Sequence, residues 1–400
     1  MRAGKRPLQW LNFFMADMQA GVGPFLRVFL LAHGWKSGLI GTVMTIGAIV
    51  GMVLTTPAGA WVDASHHKRW LIAIPGIFTV LASAVILLSQ SFWAVTLSQI
   101  ATAIAGATIG PAVTGLTLGM FQQSGFVRQN GINQAYNHAG NAVGAALSGL
   151  LGWQFGLPAV FWLAVVFAIA AIASVLSIPR DSVDDRAARG LATGVRGEEG
   201  AQGLRVLFAC RPLLVLAAAL ALFHLGNAAM LPLYGLAVVS AREGNPAVFV
   251  AATIVVAQAT MVVASLVAMR MTRQRGLWFV LLISFASLPI RGAIAASLIH
   301  GWGVLPVQML DGVGAGLQSV AVPGLVARML NGTGRVNIGQ GAVMTVQGVG
   351  ASLSPAIGGW LAQWHGYSLT FLILGSFALG SIILWVSYTP LRMNTAADSR

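Results

Sequence analysis

The chain has 400 residues, of which 57% are hydrophobic and only 8% are charged. A soluble domain carries about 25% charged residues, so this composition excludes a soluble globular protein and indicates a chain that crosses a membrane several times. The net charge of +13 would suggest a nucleic-acid partner in a soluble protein, but in a membrane protein it orients the chain. We therefore expect no nucleic-acid partner. The single cysteine, Cys210, excludes a disulfide framework.

Twelve stretches are apolar and long enough to cross a bilayer, which takes about 20 residues per helix. One connection is long and polar, and we interpret residues 181–210 as a cytoplasmic linker. The sequence thus predicts an all-α membrane protein with two pseudo-symmetric six-helix bundles, 1–180 and 211–400. The predicted spans are 8–31, 37–61, 70–90, 92–120, 130–152, 157–178, 211–239, 246–269, 276–299, 302–328, 338–362 and 367–388.

Lys and Arg are distributed unevenly between the two sides of these spans. If the N-terminal segment is cytoplasmic, 19 of the 23 basic residues fall on that side, and only Lys36 and Arg242 fall on the other. Cytoplasmic connections carry the excess of Lys and Arg in membrane proteins. We therefore expect a bacterial-type inner (plasma) membrane protein with an even number of spans and both termini in the cytoplasm.

The two predicted bundles contain similar segments. WAVTLSQIATAIAGA at 93–107 aligns with WGVLPVQMLDGVGAG at 302–316, and GNAVGAALSG at 140–149 aligns with GASLSPAIGG at 350–359. The two alignments have nearly the same offset. Internal repeats of this kind are typical of secondary transporters, in which one bundle rocks against the other.

The charged stretch GAWVDASHHKRW at 59–70 follows the second span. It resembles the loop signature of the major facilitator superfamily, Gly-x-x-x-Asp-Arg-x-Gly-Arg-Arg-Arg. The matching positions are Gly59, Asp63, Lys68 and Arg69. Ala64 and His66 replace an Arg and a Gly of the signature. The resemblance implies a twelve-helix secondary transporter with alternating access, in which Asp63 accepts hydrogen bonds from helix N-termini and basic groups and the loop acts as a cytoplasmic gate.

Two glycine-rich spans resemble the antiporter motif of the same family, Gly-x-x-x-Gly-Pro-x-x-Gly-Gly. The fifth span keeps the glycines at 140, 144 and 149, and the eleventh span carries a closer copy around Pro355. Many proton-driven members place an Arg four residues before a Gly in the fourth span, where this chain has Thr102. The resemblance favours proton-coupled efflux of a small organic or amphipathic solute.

Ionisable side chains inside spans are energetically costly and mark functional positions. The carboxylates inside predicted spans are Asp17 and Asp311. Arg291 lies at a depth similar to that of Asp311 on the adjacent span, so we expect these two to form an intramembrane ion pair. Asp17 has no such basic neighbour. We expect Asp17 to carry the coupling proton, with His224 as its partner across a central cavity.

Asparagines recur on one helical face of the fifth span, beside His138. This stripe could line a wet cavity or join helices by buried hydrogen bonds, and we favour the cavity. The expected cavity residues are Gln19, Asn133, Asn137, His138, Asn141, Asn227, Gln308, Gln340 and Gln347.

The sequence shows no nucleophile motif, no phosphate-binding loop and no His-x-x-x-His pair. We expect a monomeric transporter, not an enzyme, with no cofactor and no resident metal, and with its substrate, protons and membrane lipids as partners. Two alternatives remain within transport. The substrate could be a divalent metal ion, as in ferroportin-like members, because Asp17 and His224 offer suitable ligands, or the chain could take up a small metabolite. A receptor or assembly factor that transports nothing is the alternative from another class.

Overall fold

The structure is a computed structural model that describes residues 4–20, 26, 29–30, 33–35, 37–156, 158–191, 205–240 and 246–388. This part of the chain is helical and contains no strand, which confirms the predicted all-α membrane class. Within it, eight helices are long and apolar enough to cross a membrane. Many large apolar side chains on them point outward, as expected of helices that face lipid, among them Val53, Phe78, Trp162 and Ile383.

The chain forms two compact units, Met1–Gln202 with Leu330–Gly341, and Gly203–Met329 with Ala342–Arg400. Helices that begin before residue 203 are α1 (Lys5–Ala20), α2 (Ser37–Ala64), α3 (Trp70–Leu88), α4 (Phe92–Phe155), α5 (Pro158–Leu176) and α6 (Asp185–Ala188). Those that follow are α7 (Arg205–Ala209), α8 (Arg211–Asn227), α9 (Met230–Ser240), α10 (Pro246–Ser297), α11 (Val304–Met329) and α12 (Val336–Ser387). The boundary between the units therefore falls inside the first turns of α12.

Three of the helices are interrupted by one residue with non-helical backbone angles, namely Gln122 in α4, Gly276 in α10 and Gly366 in α12. A straight helix with the 64 residues of α4 would be about 96 Å long, roughly three times the thickness of a hydrocarbon core. The break at Gln122 therefore separates two crossings. The total of twelve crossings stays a prediction.

Three predicted connections are helical in the structure. Residues 123–129 belong to α4, residues 270–275 to α10 and residues 363–366 to α12. Hydropathy marks where the apolar part of a helix ends, whereas the backbone hydrogen bonds of these helices continue into the polar region. The seventh predicted span shows the opposite deviation, because it divides into α8 and α9 at Ala228 and Ala229. Pro232 has no N–H with which to bond the Ala228 carbonyl, so the helix is interrupted there.

The predicted linker begins as part of the first compact unit. The carboxylate of Asp184 caps α6 by accepting from the N–H groups of Arg186 and Ala187 at 2.8 and 3.1 Å. The N–H of Asp184 in turn donates to the carbonyl of Gly119 on α4 at 3.1 Å. The start of the linker is thus anchored to the helices before it.

Candidate functional site

Asp63, in the last turn of α2, contacts the first turn of α12 within the first unit. Its Oδ2 accepts from the backbone N–H of Ile338 at 2.9 Å. Its Oδ1 accepts from the backbone N–H and the side-chain amide of Asn337, at 3.3 and 2.7 Å. The first N–H groups of a helix have no partner within the helix, and the helix dipole favours an anion there. Asp63 therefore caps α12, and we call this contact the Asp63 clasp.

Gly59 lies one turn before Asp63 and allows this close approach. A Cβ at Gly59 would lie 2.8 Å from the Cα of Ile338, which is closer than real Cβ contacts come. The buried side chain of Asn337 also donates to the carbonyl of Ala188 on α6 at 2.9 Å. The gate residues expected from the sequence did not include Asn337. An Asn directly before an apolar run is a signal of a helix N-terminus and would have indicated a role for it.

Lys68 and Arg69 follow on the turn between α2 and α3. The ammonium of Lys68 is buried and donates to the carbonyls of Val62 and Ser65 at 3.2 and 2.8 Å, which satisfies the C-terminal end of α2. Burial lowers the pKa of Lys68 to about 8, against the attraction of Asp185. The guanidinium of Arg69 donates to the carbonyl of Ile178 at 2.5 Å.

A polar cluster lies among the helices of the second unit. Nη1 of Arg291 on α10 is 2.8 Å from Oδ1 of Asp311 on α11 and donates to Oδ1 of Asn227 on α8 at 2.6 Å. The Asn227 amide also donates to Asp311 at 3.2 Å. Arg291 is 1% exposed and Asp311 is 18% exposed. The geometry thus brings together the two residues expected to pair, and Asn227 bridges them.

His224 lies one turn before Asn227 on α8. Its Nδ1 is 3.0 Å from the carbonyl oxygen of Leu220, and its Nε2 is 3.0 Å from the amide nitrogen of Gln347 on α12. The carbonyl can only accept, so we assign the ring proton to Nδ1, and Nε2 then accepts from Gln347. The ring is neutral in this arrangement. A protonated Nε2 would donate, so the Gln347 amide would have to rotate until its oxygen faces the ring.

The glycine motifs mark equivalent close contacts in the two units. A Cβ at Gly140 would overlap the carbonyl oxygen of Phe13 on α1, and a Cβ at Gly350 would overlap that of Ala221 on α8. The glycines are 210 positions apart and their partners are 208 positions apart. The contact therefore recurs at the repeat offset, where small residues let helix backbones touch.

Comparison with known proteins identifies the family. The family model of the Major Facilitator Superfamily matches residues 9–291. Two MFS-type transporters of Mycobacterium tuberculosis, from strains CDC 1551 and H37Rv, are each 36% identical over 390 residues, which covers 96% of this chain and 93% of each relative. The chain belongs to the major facilitator superfamily. The family resemblance seen in the loop signature is thereby confirmed, and this chain is a membrane transporter.

The fold of this major facilitator is similar to the crystal structure of the human organic anion transporter MFSD10 (TETRAN). The TM-score is 0.70 and the sequence identity is 16%, over 96% of this chain and 99% of that chain. At this identity the likeness concerns the fold.

The asparagine stripe of this transporter forms bonds between and within helices of the first unit. Asn133 is buried and donates to Thr117 in the first half of α4 at 3.0 Å. Asn137 donates to the backbone carbonyl of Asn12 on α1 at 3.3 Å, and Asn141 donates to Asn137 at 3.4 Å. The sequence left two interpretations of the stripe open, a wet cavity or buried hydrogen bonds that join helices. These contacts correspond to the second interpretation.

Among the other predicted cavity residues, His138, Gln308 and Gln340 are buried. Asp17 and Gln19 are on α1, but their side chains lie outside the described residues, so the pairing of Asp17 with His224 stays a prediction. Within the described part of this major facilitator, no group of three or more His, Cys, Asp or Glu side chains could hold a metal ion.

Proposed function

We propose that this major facilitator exports a small organic or amphipathic solute in exchange for protons. In this proposal the predicted bundles 1–180 and 211–400 alternate access across a bacterial-type inner membrane, with both termini in the cytoplasm. The observation that carries the proposal is the polar cluster of the second unit. Charged groups inside an apolar helix unit are costly and are retained where solutes or protons are handled.

The contacts of the cluster suggest separate roles for the two carboxylates. The negative charge of Asp311 neutralises the buried Arg291, and its Oδ1 also accepts from Asn227. We therefore propose that Asp311 neutralises the charge of Arg291 and that Asp17 carries the coupling proton. His224 is its proposed partner because the Nε2 of the neutral ring can accept a proton if Gln347 turns over.

The test is transport by the purified protein in proteoliposomes, with a fluorescent amphipathic dye as the solute. We expect the wild type to accumulate dye against its gradient when a pH gradient is imposed. Asp17→Asn should abolish this accumulation but keep dye exchange, because the amide mimics the protonated carboxyl. His224→Ala should shift the pH optimum, while Asp181→Asn, outside the predicted spans, serves as the control. Undiminished accumulation by Asp17→Asn would refute the assignment of Asp17.

If the wild type moves no dye and accumulates a divalent cation instead, the metal alternative replaces the proposal. A wild type that moves neither dye nor cation, with or without a pH gradient, counts against proton-coupled efflux.

We further propose that the Asp63 clasp is the latch of the cytoplasmic gate. Charge-assisted hydrogen bonds contribute about 1.5–3 kcal/mol each, so Asp63→Asn should speed amide exchange at Asn337 and Ile338 roughly ten- to hundredfold. Hydrogen-exchange mass spectrometry of the peptide 334–341 measures this effect, and α3 is the internal control. Unchanged exchange together with unchanged transport would contradict the latch.

A further inference from the structure

A basic pocket and an apolar groove adjoin at the turn between α2 and α3. The pocket has a volume of about 180 Å³, and the polar side chains that line it are His66, His67, Lys68, Arg69, Arg180 and Asp185. The groove has a volume of about 530 Å³, and its lining includes Trp61, Ile74, Phe78 and Ile104. His67 and Trp70 line both cavities. The two cavities therefore share a wall, with the basic pocket on one side and the apolar groove on the other, and we call the two together the site.

The positive charge of the pocket exceeds its negative charge. Asp185 is the one acidic residue among the described residues that line it, and its Oδ2 already lies 3.1 Å from Nδ1 of His66. The pKa of Arg69 is lowered mainly by burial and, to a smaller extent, by repulsion from Arg180. Two guanidinium groups that repel each other at a pocket wall favour an anion between them.

The groove has the properties of a binding surface for an acyl chain. Trp61 is 59% exposed, Phe78 53% and Ile104 46%. Trp61 and Trp70 stand beside the polar turn, as aromatic residues do at the level of lipid headgroups. The apolar end of the site therefore faces hydrocarbon, and the basic end lies at headgroup level.

We propose that this site binds an anionic phospholipid of the leaflet that borders the 65–69 turn. Its phosphate occupies the basic pocket between Arg69 and Arg180, and one acyl chain lies in the groove. Arg recognises phosphate by charge-assisted hydrogen bonds in a fixed geometry. A zwitterionic lipid offers the same chains but adds an ammonium group, which a basic pocket disfavours. The bound lipid contacts the turn that follows Asp63.

The test is native mass spectrometry of the full-length protein in detergent. The probes are phosphatidylglycerol and phosphatidylcholine with identical acyl chains, and glycerol phosphate without chains. We expect the dissociation constant of phosphatidylglycerol to be at least tenfold lower than that of phosphatidylcholine. Arg180→Gln should reduce this preference severalfold, and Arg69→Gln combined with Arg180→Gln should abolish it. Arg128 is exposed and lines neither cavity, so Arg128→Gln should leave the preference unchanged.

The groove is tested separately. Ile104→Trp should fill it and weaken the binding of both lipids, and the melting temperature of each variant without lipid reports folding. Because Arg180 is exposed, its single variant remains informative if the double variant unfolds. Equal affinity of the wild type for both lipids would overturn the proposal, as would a full preference retained by Arg180→Gln. Binding of glycerol phosphate as tight as that of the lipid would show that the groove takes no part.

Discussion

Lys68 keeps an ammonium group inside the protein by replacing water with backbone carbonyls. It is 2% exposed and donates to the carbonyl of Val62 in the last turn of α2 and to that of Ser65, the residue after the helix. A neutral amine can still donate to them, so the bonds survive deprotonation. The cost of burying the charge is what lowers the pKa of this group.

This pKa predicts a pH dependence of stability. The pKa of Lys68 is lowered from 10.5 to about 8, so between these values the unfolded chain binds more protons than the folded chain. The stability contributed by this group therefore rises as the pH increases through that window. We expect the melting temperature of the wild type, relative to Lys68→Met, to rise from pH 7.5 to pH 9.5. Lys5→Met is the control, and a constant difference for Lys68→Met would contradict the prediction.

The Arg291–Asp311 pair predicts strong coupling between two substitutions. Removing one partner leaves a buried charge alone and should cost about 3–5 kcal/mol of unfolding free energy. Arg291→Leu combined with Asp311→Leu should recover much of that loss, because no charge then remains. Equilibrium unfolding in mixed micelles measures all four proteins of the cycle. A double variant as unstable as the sum of the single variants would show that the pair is not coupled.

Among the elements, pairs of helices depend on glycines at the repeat offset. α4 meets α1 at Gly140, and α12 meets α8 at Gly350, each against a backbone carbonyl. A flexible side chain could move away from an added methyl group at little energetic cost, but displacement of a helix backbone costs much more. The same helices also carry Gly149 and Gly359, beside which there is open space.

These four glycines form a matched set. Gly140→Ala and Gly350→Ala should each destabilise the protein by roughly 1–3 kcal/mol, since overpacking displaces backbone. Gly149→Ala and Gly359→Ala should be neutral or stabilising by up to about 1 kcal/mol, because Ala is the better helix former. Thermal unfolding in detergent compares the four variants. Equal effects at all four positions would contradict the close-contact explanation.

For the whole molecule, the asymmetry of Lys and Arg predicts the orientation in the membrane. Alkaline phosphatase is active only outside the cytoplasm, so fusions after Gly244 and after His300 should be active. Fusions after Arg273 and after Arg335 should be inactive. Active enzyme after Arg273 or Arg335 would contradict the predicted cytoplasmic location of these connections.

The sequence by itself determined the membrane class and the family. A bilayer offers no hydrogen bonds to the backbone, so a long apolar run must cross as a helix, and composition alone reveals this. The loop signature around Asp63 was sufficient to indicate the superfamily. It also correctly singled out Gly59, which has to be small because another backbone lies against it.

Only the tertiary structure decided which groups are partners. Asp63 caps a helix that begins 273 positions later, at Val336, and Asn227 bridges an ion pair between two other helices. The asparagine stripe meets α1 through Asn12, and polar residues expected in a loop extend α4. Hydropathy records whether a side chain favours water or lipid. It does not record which distant backbone comes within 3 Å, because that depends on how helices far apart in the chain pack together.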